Sequence, residues 1–251
     1  MSEHPNRSPI RRHMLGMVWN ANYALEQALD PNTKNVPREL FEKCHGIVLM
    51  STVKAGVVFT GNVGTGIMMA KTEDGNWSPP VSVSSVGYSF GAILGKRDDD
   101  ILIFIMDKKS MEEFVKMPQT RMGVTAALNI GRFGGQVSQG LELPNKGTIT
   151  VSFSKGIFTG GGIDVGTLET TRDEVNETFY KQKAKASQIL FKKGAVTIPE
   201  ESMVPDIHEK LQWLAEGKTW TPGAEDIDRS SHYLSLALHA EGELAKTESK
   251  K

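Results

Sequence analysis

The sequence has little of what secreted, membrane-spanning or nucleic-acid-binding proteins need. Cys44 is the only cysteine in 251 residues, so no disulfide can form within the chain, and a reducing compartment suits it. No stretch approaches the ~20 apolar residues of a transmembrane helix, and the first residues lack the apolar segment of a signal peptide. The formal net charge is −1, which gives no overall attraction to nucleic acid. These features predict a cytoplasmic protein.

The charges that are present are unevenly distributed along the chain. Basic residues outnumber acidic ones up to Glu200, whereas acidic residues predominate after it. The first residues are polar and contain proline, which is typical of a loose terminus. We therefore predict three segments: a disordered tail over 1–9, a domain over 10–216 and an acidic helical extension over 217–251.

Helical spacing of apolar residues marks the segment Ile10–Leu29, where Met14 and Val18 belong to one apolar stripe. Arg11 and Arg12 stand at its start, off that stripe. A helix with an apolar stripe and cationic flanks can lie in a membrane interface. The same pattern is typical of a helix packed on its own domain, so both interpretations remain open.

A second helix is predicted over Thr171–Gly194, because acidic residues occupy its first turn, lysines occupy its last and a glycine follows. This segment contains five lysines that could meet a phosphoinositide headgroup or an acidic protein groove: Lys181, Lys183, Lys185, Lys192 and Lys193. The alternative is an ordinary solvated face, because charge runs are usually solvated.

Between these helical regions the chain is rich in short, β-branched segments separated by glycines. The dipeptide Asp74-Gly75 is a turn signal, and several short segments at close spacing are typical of antiparallel strands. We therefore predict an α+β fold: a mostly antiparallel, Gly-rich twisted sheet or partly closed barrel, flanked by an N-terminal amphipathic helix and C-terminal helices.

Two glycine-containing motifs could indicate an enzyme. "GNVGTG" (61–66) has its glycines in the wrong order for a dinucleotide loop and leads from strand to strand, where a nucleotide loop leads into a helix. "GYSFG" (87–91) matches the nucleophile elbow of esterases around Ser89, but that elbow also requires a helix after the turn. A serine hydrolase using Ser89 remains a remote alternative. The glycines are better explained by close approach or bending of strands.

No spacing of histidine and cysteine is typical of a metal site. Cys44 and His45 are adjacent, so their side chains diverge on a helix. We expect neither a metal nor a cofactor.

Several strings resemble the SYLF domain family, in the right order. "HGIVLMSTVKAGVVFTGNVGTGIMMAKTEDGNWSPPVSV" is similar to the family core, with its Trp-Ser-x-Pro turn at Trp77–Pro80. "GYSFGAILG" resembles the family's paired glycines, and Ser154–Phe158 resembles its Ser-Lys-Gly-Leu-Phe segment. Asn176, Phe179 and Tyr180 resemble its Asn-x-x-Phe-Tyr helix.

The resemblance implies a phosphoinositide-binding membrane adaptor linked to the actin cytoskeleton or to endocytic trafficking, rather than an enzyme. It implies a peripheral membrane location and lipid binding through the N-terminal helix. The lipid-binding residues expected are Arg11, Arg12, Met14, Val18 and Lys54. The alternative is an actin-filament binding or bundling protein without lipid specificity, which would use the five lysines listed above. Many relatives recruit partners through an SH3 domain, and no SH3 sequence is present here, so such partners are not expected.

Overall fold

The computed structural model describes residues 10–32, 36–116, 120–129, 148–170 and 173–250. These residues form an α+β fold, as predicted. In chain order the elements are α1 (Met14–Leu29), α2 (Arg38–Lys43), β1 (Gly46–Ala70), β2 (Val81–Ile105), α3 (Lys108–Lys116), β3 (Thr120–Asn129), β4 (Thr148–Thr170), α4 (Asp173–Tyr180), α5 (Ala186–Phe191), α6 (Val204–Ala215) and α7 (Ala224–Glu248).

The described strands form one antiparallel sheet with the order β1-β2-β4-β3. β1 and β2 are joined as a hairpin whose register runs from Gly46 opposite Ile105 to Met68 opposite Val81. Of the two arrangements that the sequence left open, the described strands form the sheet and not a closed barrel, with β1 and β3 at its edges.

The strands are fewer and longer than the sequence predicted. β1 and β2 each contain 25 residues, where the glycines had suggested several short strands. The glycines do not end these strands, because a residue without Cβ can bend or twist a strand that continues through it. The ladder between β1 and β2 is interrupted by one register shift, between Val57 and Phe59.

The two ends of β1 cross each other at Gly66. A Cβ added at Gly66 would lie 2.2 Å from the carbonyl oxygen of Leu49 and 2.5 Å from Cα of Met50. Beyond the crossing, the backbone N–H of Lys71 donates to the carbonyl oxygen of His45 at 2.9 Å. β1 therefore doubles back on itself. Gly66 allows the two backbone segments to approach closely, as the sequence suggested for this glycine cluster.

α1 lies inside the structure. It contacts β1, α6 and α7, and its apolar stripe is almost completely buried, with Met14, Met17 and Leu25 all 0% exposed. It begins four residues later than predicted, at Met14, because the His13 side chain accepts a hydrogen bond from the Leu15 N–H and caps it. No helix among the described residues is both long and apolar enough to cross a membrane.

The helix predicted over Thr171–Gly194 is two helices. α4 ends where Lys181 adopts a positive φ of 52°, a left-handed conformation that closes helices and is uncommon outside glycine. The chain then runs through a short loop to α5, which begins at Ala186. The acidic residues were placed correctly in the first turn of α4, but the end was not, because α5 ends at Phe191, before the two lysines predicted for its last turn. The interruption was missed because nothing in the sequence marks the left-handed conformation of Lys181.

Because of this crossing, we expect two glycines of the GNVGTG motif to differ in how well they tolerate substitution by alanine. Gly66→Ala places a methyl group against backbone atoms that cannot move independently, so we expect the free energy of unfolding to fall by about 3 kcal/mol. Gly61→Ala is the matched control, because a Cβ at Gly61 meets no atom within 4 Å, and we expect a change within about 0.5 kcal/mol. Urea denaturation measures both variants, and equal stabilities would contradict the crossing.

Candidate functional site

The start of α1, predicted to bind lipid, is mostly buried. Arg11 is 4% exposed, Met14 0% and Val18 1%. The Arg11 backbone N–H donates to the Thr65 hydroxyl at 3.0 Å, which ties the residues before α1 to the glycine-rich part of β1. Burial lowers the pKa of the Arg11 guanidinium below its ordinary value, and the nearby Glu241 carboxylate opposes that shift. In this conformation the apolar stripe is not available to a bilayer.

α7 covers the start of α1. The Glu241 carboxylate accepts the backbone N–H of Arg12 at 2.6 Å and that of His13, while the Arg12 guanidinium pairs with Glu248. Further along α1, the indole N–H of Trp19 donates to the carbonyl oxygen of Ser230 at 3.2 Å. The acidic extension therefore neutralises and caps the cationic start of α1.

Lys54, the fifth predicted lipid-binding residue, lies on β1. Its ammonium is 4.0 Å from the carboxylate of Asp99, and the two side chains are 12% and 1% exposed. Lipid binding by these five residues stays a prediction.

The five lysines predicted to bind actin are all exposed. They occupy the loop between α4 and α5 and the residues directly after α5, so that Lys185 and Lys192 flank that helix. The segment 181–193 contains no aspartate or glutamate. Phe191, the last residue of α5, is 51% exposed among them. We call these five lysines and Phe191 the lysine surface.

The helix at the centre of the lysine surface, α5, is anchored in the core. Ile189 and Leu190 of α5 are each 1% exposed. The Lys185 backbone N–H donates to the Gln188 side chain at 2.9 Å, which fixes the first turn. The lysines thus lie in the segments that flank this anchored helix, with Lys185 and Lys192 adjoining its two ends.

The family-like residues of α4 attach this region to the β1–β2 hairpin. The Asn176 side-chain oxygen accepts the backbone N–H of Ser82 at 2.8 Å, and the Tyr180 hydroxyl donates to the carbonyl oxygen of Pro80 at 2.6 Å. Burial raises the pKa of Tyr180 well above its ordinary value. These residues act as scaffold: they connect α4 to the turn that follows Trp77.

The Trp-Ser-Pro-Pro turn is a scaffold as well. The Ser78 hydroxyl accepts the backbone N–H of Ala70 at 3.0 Å, and its carbonyl oxygen accepts from Nε2 of His208 on α6 at 3.3 Å. The Lys71 ammonium lies 5.7 Å from the centroid of the Trp77 ring. The turn thus connects the hairpin with α6, a role that the sequence did not reveal because α6 is more than a hundred residues away.

The arrangement around Ser89 does not fit a nucleophile elbow. Ser89 lies within β2, opposite Thr60 of β1 and Asp164 of β4, and the strand continues to Ile105. The elbow requires a helix after the serine, so this motif match comes from an ordinary strand.

Cys44 is buried, and that burial raises the pKa of its thiol to about 11. The described residues contain no group of three or more His, Cys, Asp or Glu side chains placed to hold a metal ion.

The family model described as "Ysc84: Las17-binding protein actin regulator" matches residues 86–212, just over half of the chain. The chain belongs to the Ysc84 family. This confirms the resemblance to the SYLF domain that the motifs suggested, and the matched residues include most of β2, all of β4, the lysine surface and most of α6.

Curated proteins of this family cover most of the chain. SH3 domain-containing YSC84-like protein 1 of Bos taurus is 29% identical over 83% of this chain and 62% of its own length. Protein YSC84 of Saccharomyces cerevisiae is 24% identical over 76% of this chain and 42% of its own length. The LAS seventeen-binding protein 3 of the same species is 25% identical over 73% of this chain and 41% of its own length. The chain thus spans less than two thirds of these relatives.

One solved structure, the virulence-associated protein VapD of Rhodococcus equi, aligns with 50% of this chain and 99% of its own at 14% identity. Its TM-score of 0.28 is too low to support any argument.

The contact between His208 and Ser78 predicts a pH dependence of stability. Burial lowers the pKa of His208 below its ordinary 6.5, against the opposing effect of the hydrogen bond to Ser78. The unfolded chain therefore binds the proton more readily, so stability is complete above about pH 6.5 and is lost as the pH falls toward the lower pKa of the folded state. Burial also lowers the pKa of His13, so its contribution to the pH dependence of stability has the same sign.

We expect His208→Gln to make the free energy of unfolding less steeply dependent on pH between about pH 7 and 5. The control is His232→Gln, because His232 lies exposed on α7. Denaturant titrations at several pH values measure the slope. If the His208→Gln variant and the unsubstituted chain showed the same slope of unfolding free energy against pH, the burial of a neutral imidazole would be contradicted.

Proposed function

We propose that this Ysc84-family chain is a peripheral adaptor that docks on phosphoinositide membranes and links them to the actin cytoskeleton. The observation that carries the proposal is the lysine surface: five exposed lysines, with no acidic residue in their segment, on both sides of a helix anchored in the core. Ser89 lies within a strand and not at a strand-to-helix turn, and docking is the activity that the lysine surface supports best.

The magnitude of the electrostatic attraction fits reversible attachment. A basic residue near an anionic membrane contributes about 1 kcal/mol, so the five lysines together supply up to about 5 kcal/mol before ordering costs. Attachment of this strength depends on salt, because exposed charges are screened. Phosphoinositides carry several negative charges on one headgroup, so they concentrate the charge that the lysines meet.

In this proposal the start of α1 contributes less to membrane docking than the sequence suggested. Arg11, Met14 and Val18 are buried, and Arg12, whose side chain is 40% exposed, pairs with Glu248 of α7. We therefore propose that residues 10–216 form the docking domain and that the extension over 217–251, through α7, stabilises it by capping α1.

A second candidate function is direct binding of actin filaments by the same lysines. The description of the matching family as an actin regulator favours it. Clustered lysines suit an acidic protein groove as well as a lipid headgroup, because both present negative charge. The two candidates differ in whether filaments or vesicles retain the chain.

Co-sedimentation distinguishes the two functions. We expect the chain to pellet with phosphatidylcholine vesicles that contain phosphoinositide and not with phosphatidylcholine alone, and we expect added salt to release it. Equal binding to neutral and phosphoinositide vesicles would contradict headgroup recognition. Pelleting with actin filaments in the absence of vesicle binding would assign the lysines to the second function.

A further inference from the structure

Phe191 is a large apolar side chain placed at the surface where the chain is most basic. It is 51% exposed, directly before Lys192 and Lys193. Scattered exposed apolar residues are normal in folded proteins, so exposure alone says little. The position is informative because aromatic rings beside lysines are typical of segments that lie in the membrane interface.

The exposure of Phe191 is fixed by its neighbours. Ile189 and Leu190, the two residues before it, are each 1% exposed and belong to the core. Because successive residues of a helix point about 100° apart, anchoring these two positions sets the direction of the third. The ring cannot turn inward without displacing the residues that hold α5.

The lysines around the ring are free to face an external anion. Among the contacts described, Lys193 meets Asp74 at 3.5 Å, but the two side chains are 94% and 51% exposed. An ion pair that exposed contributes little, so Lys193 can exchange it for a lipid phosphate. The exposed ring and the exposed ammonium groups therefore belong to one segment of 13 residues with no acidic member.

We propose that Phe191 is the membrane anchor of this protein: its ring enters the boundary between headgroups and acyl chains of an anionic bilayer, while the lysines bind the headgroups. This inference rests on the proposed function and names the surface and the contact that perform it. A bilayer is the favoured partner because it receives an exposed ring wherever the ring lands, whereas an acidic protein groove needs a matching pocket.

Vesicle binding by paired variants tests the anchor. With vesicles of phosphatidylcholine and phosphoinositide, we expect Phe191→Ser to weaken binding about tenfold, because the ring loses its apolar burial. Leu238→Ser is the control, because Leu238 is a comparably exposed apolar residue, at 42%, on α7. We expect its binding to equal that of the unsubstituted chain.

The charge contribution is measured in the same assay. Lys192→Gln with Lys193→Gln removes two cations, so we expect binding about 20- to 30-fold weaker. The matched control, Lys246→Gln with Lys250→Gln, removes two exposed cations at the C-terminal end of α7, which packs on α1, and is expected to leave binding unchanged. Equal losses in both pairs would show attraction by net charge alone and would overturn the assignment to this surface.

Insertion of residue 191 has a direct readout. The F191C variant, labelled with an environment-sensitive fluorophore, is modified at that position because Cys44 is buried. We expect a blue shift on adding phosphoinositide vesicles and quenching by brominated lipid, and neither with a label at L238C.

The outcomes separate this inference from the function on which it rests. If the unsubstituted chain binds no vesicle, the proposed function and this inference both fail. If it binds and Phe191→Ser binds equally well, or if the label at residue 191 shows no shift, the anchor alone is overturned. Loss of actin pelleting in Phe191→Ser without any vesicle binding would also overturn it and assign the ring to a protein partner.

Discussion

The structure depends on the crossing of β1 over itself. The Gly66 backbone packs against Leu49 and Met50 at a distance that no side chain permits. Because of this contact, both ends of a 25-residue strand belong to the same core: Ile47 and Ile67 are each 0% exposed. A strand that continued straight for 25 residues would be about 80 Å long and would leave its ends far apart. The crossing allows so long a hairpin to enclose a single core.

That core determines the position of α1 and, through it, the surface left for binding. The doubled-back hairpin offers an apolar surface that α1 covers, and α7 then covers the start of α1 through Glu241 and Glu248. The helix that looked best suited to a membrane is therefore an internal element. The lysine surface stays exposed beside α4 and α5, and Asn176 and Tyr180 fix α4 to the hairpin.

Local features of the fold could be predicted from the sequence, and features that depend on distant contacts could not. The antiparallel sheet and the first turn of α4 follow from short patterns of β-branched residues, glycine and acidic caps. The apolar stripe of α1 was found, but a stripe of this kind is the same whether it faces lipid or β1. Burial of Met14 and Val18 depends on strands that lie dozens of residues away.

The candidate site shows the same division. The five lysines were identified because charge can be read directly from the sequence, whereas the break at Lys181 depends on a backbone conformation that lysine rarely adopts. Phe191 was missed because it follows Ile189 and Leu190, and an apolar residue at the end of an apolar run gives no sign that it faces outward. The scaffold role of Ser78 required the position of His208 on α6, which no local pattern contains.

The central claim is that the protein docks through a fixed surface while α1 stays in the core. Hydrogen–deuterium exchange of the α1 amides, with and without phosphoinositide vesicles, tests it most directly. The account predicts that amides of residues 14–29 keep their protection in the vesicle-bound chain, while exchange slows around residues 181–193. Loss of protection along α1 on binding would show that this helix leaves the core to enter the bilayer, and would contradict the account.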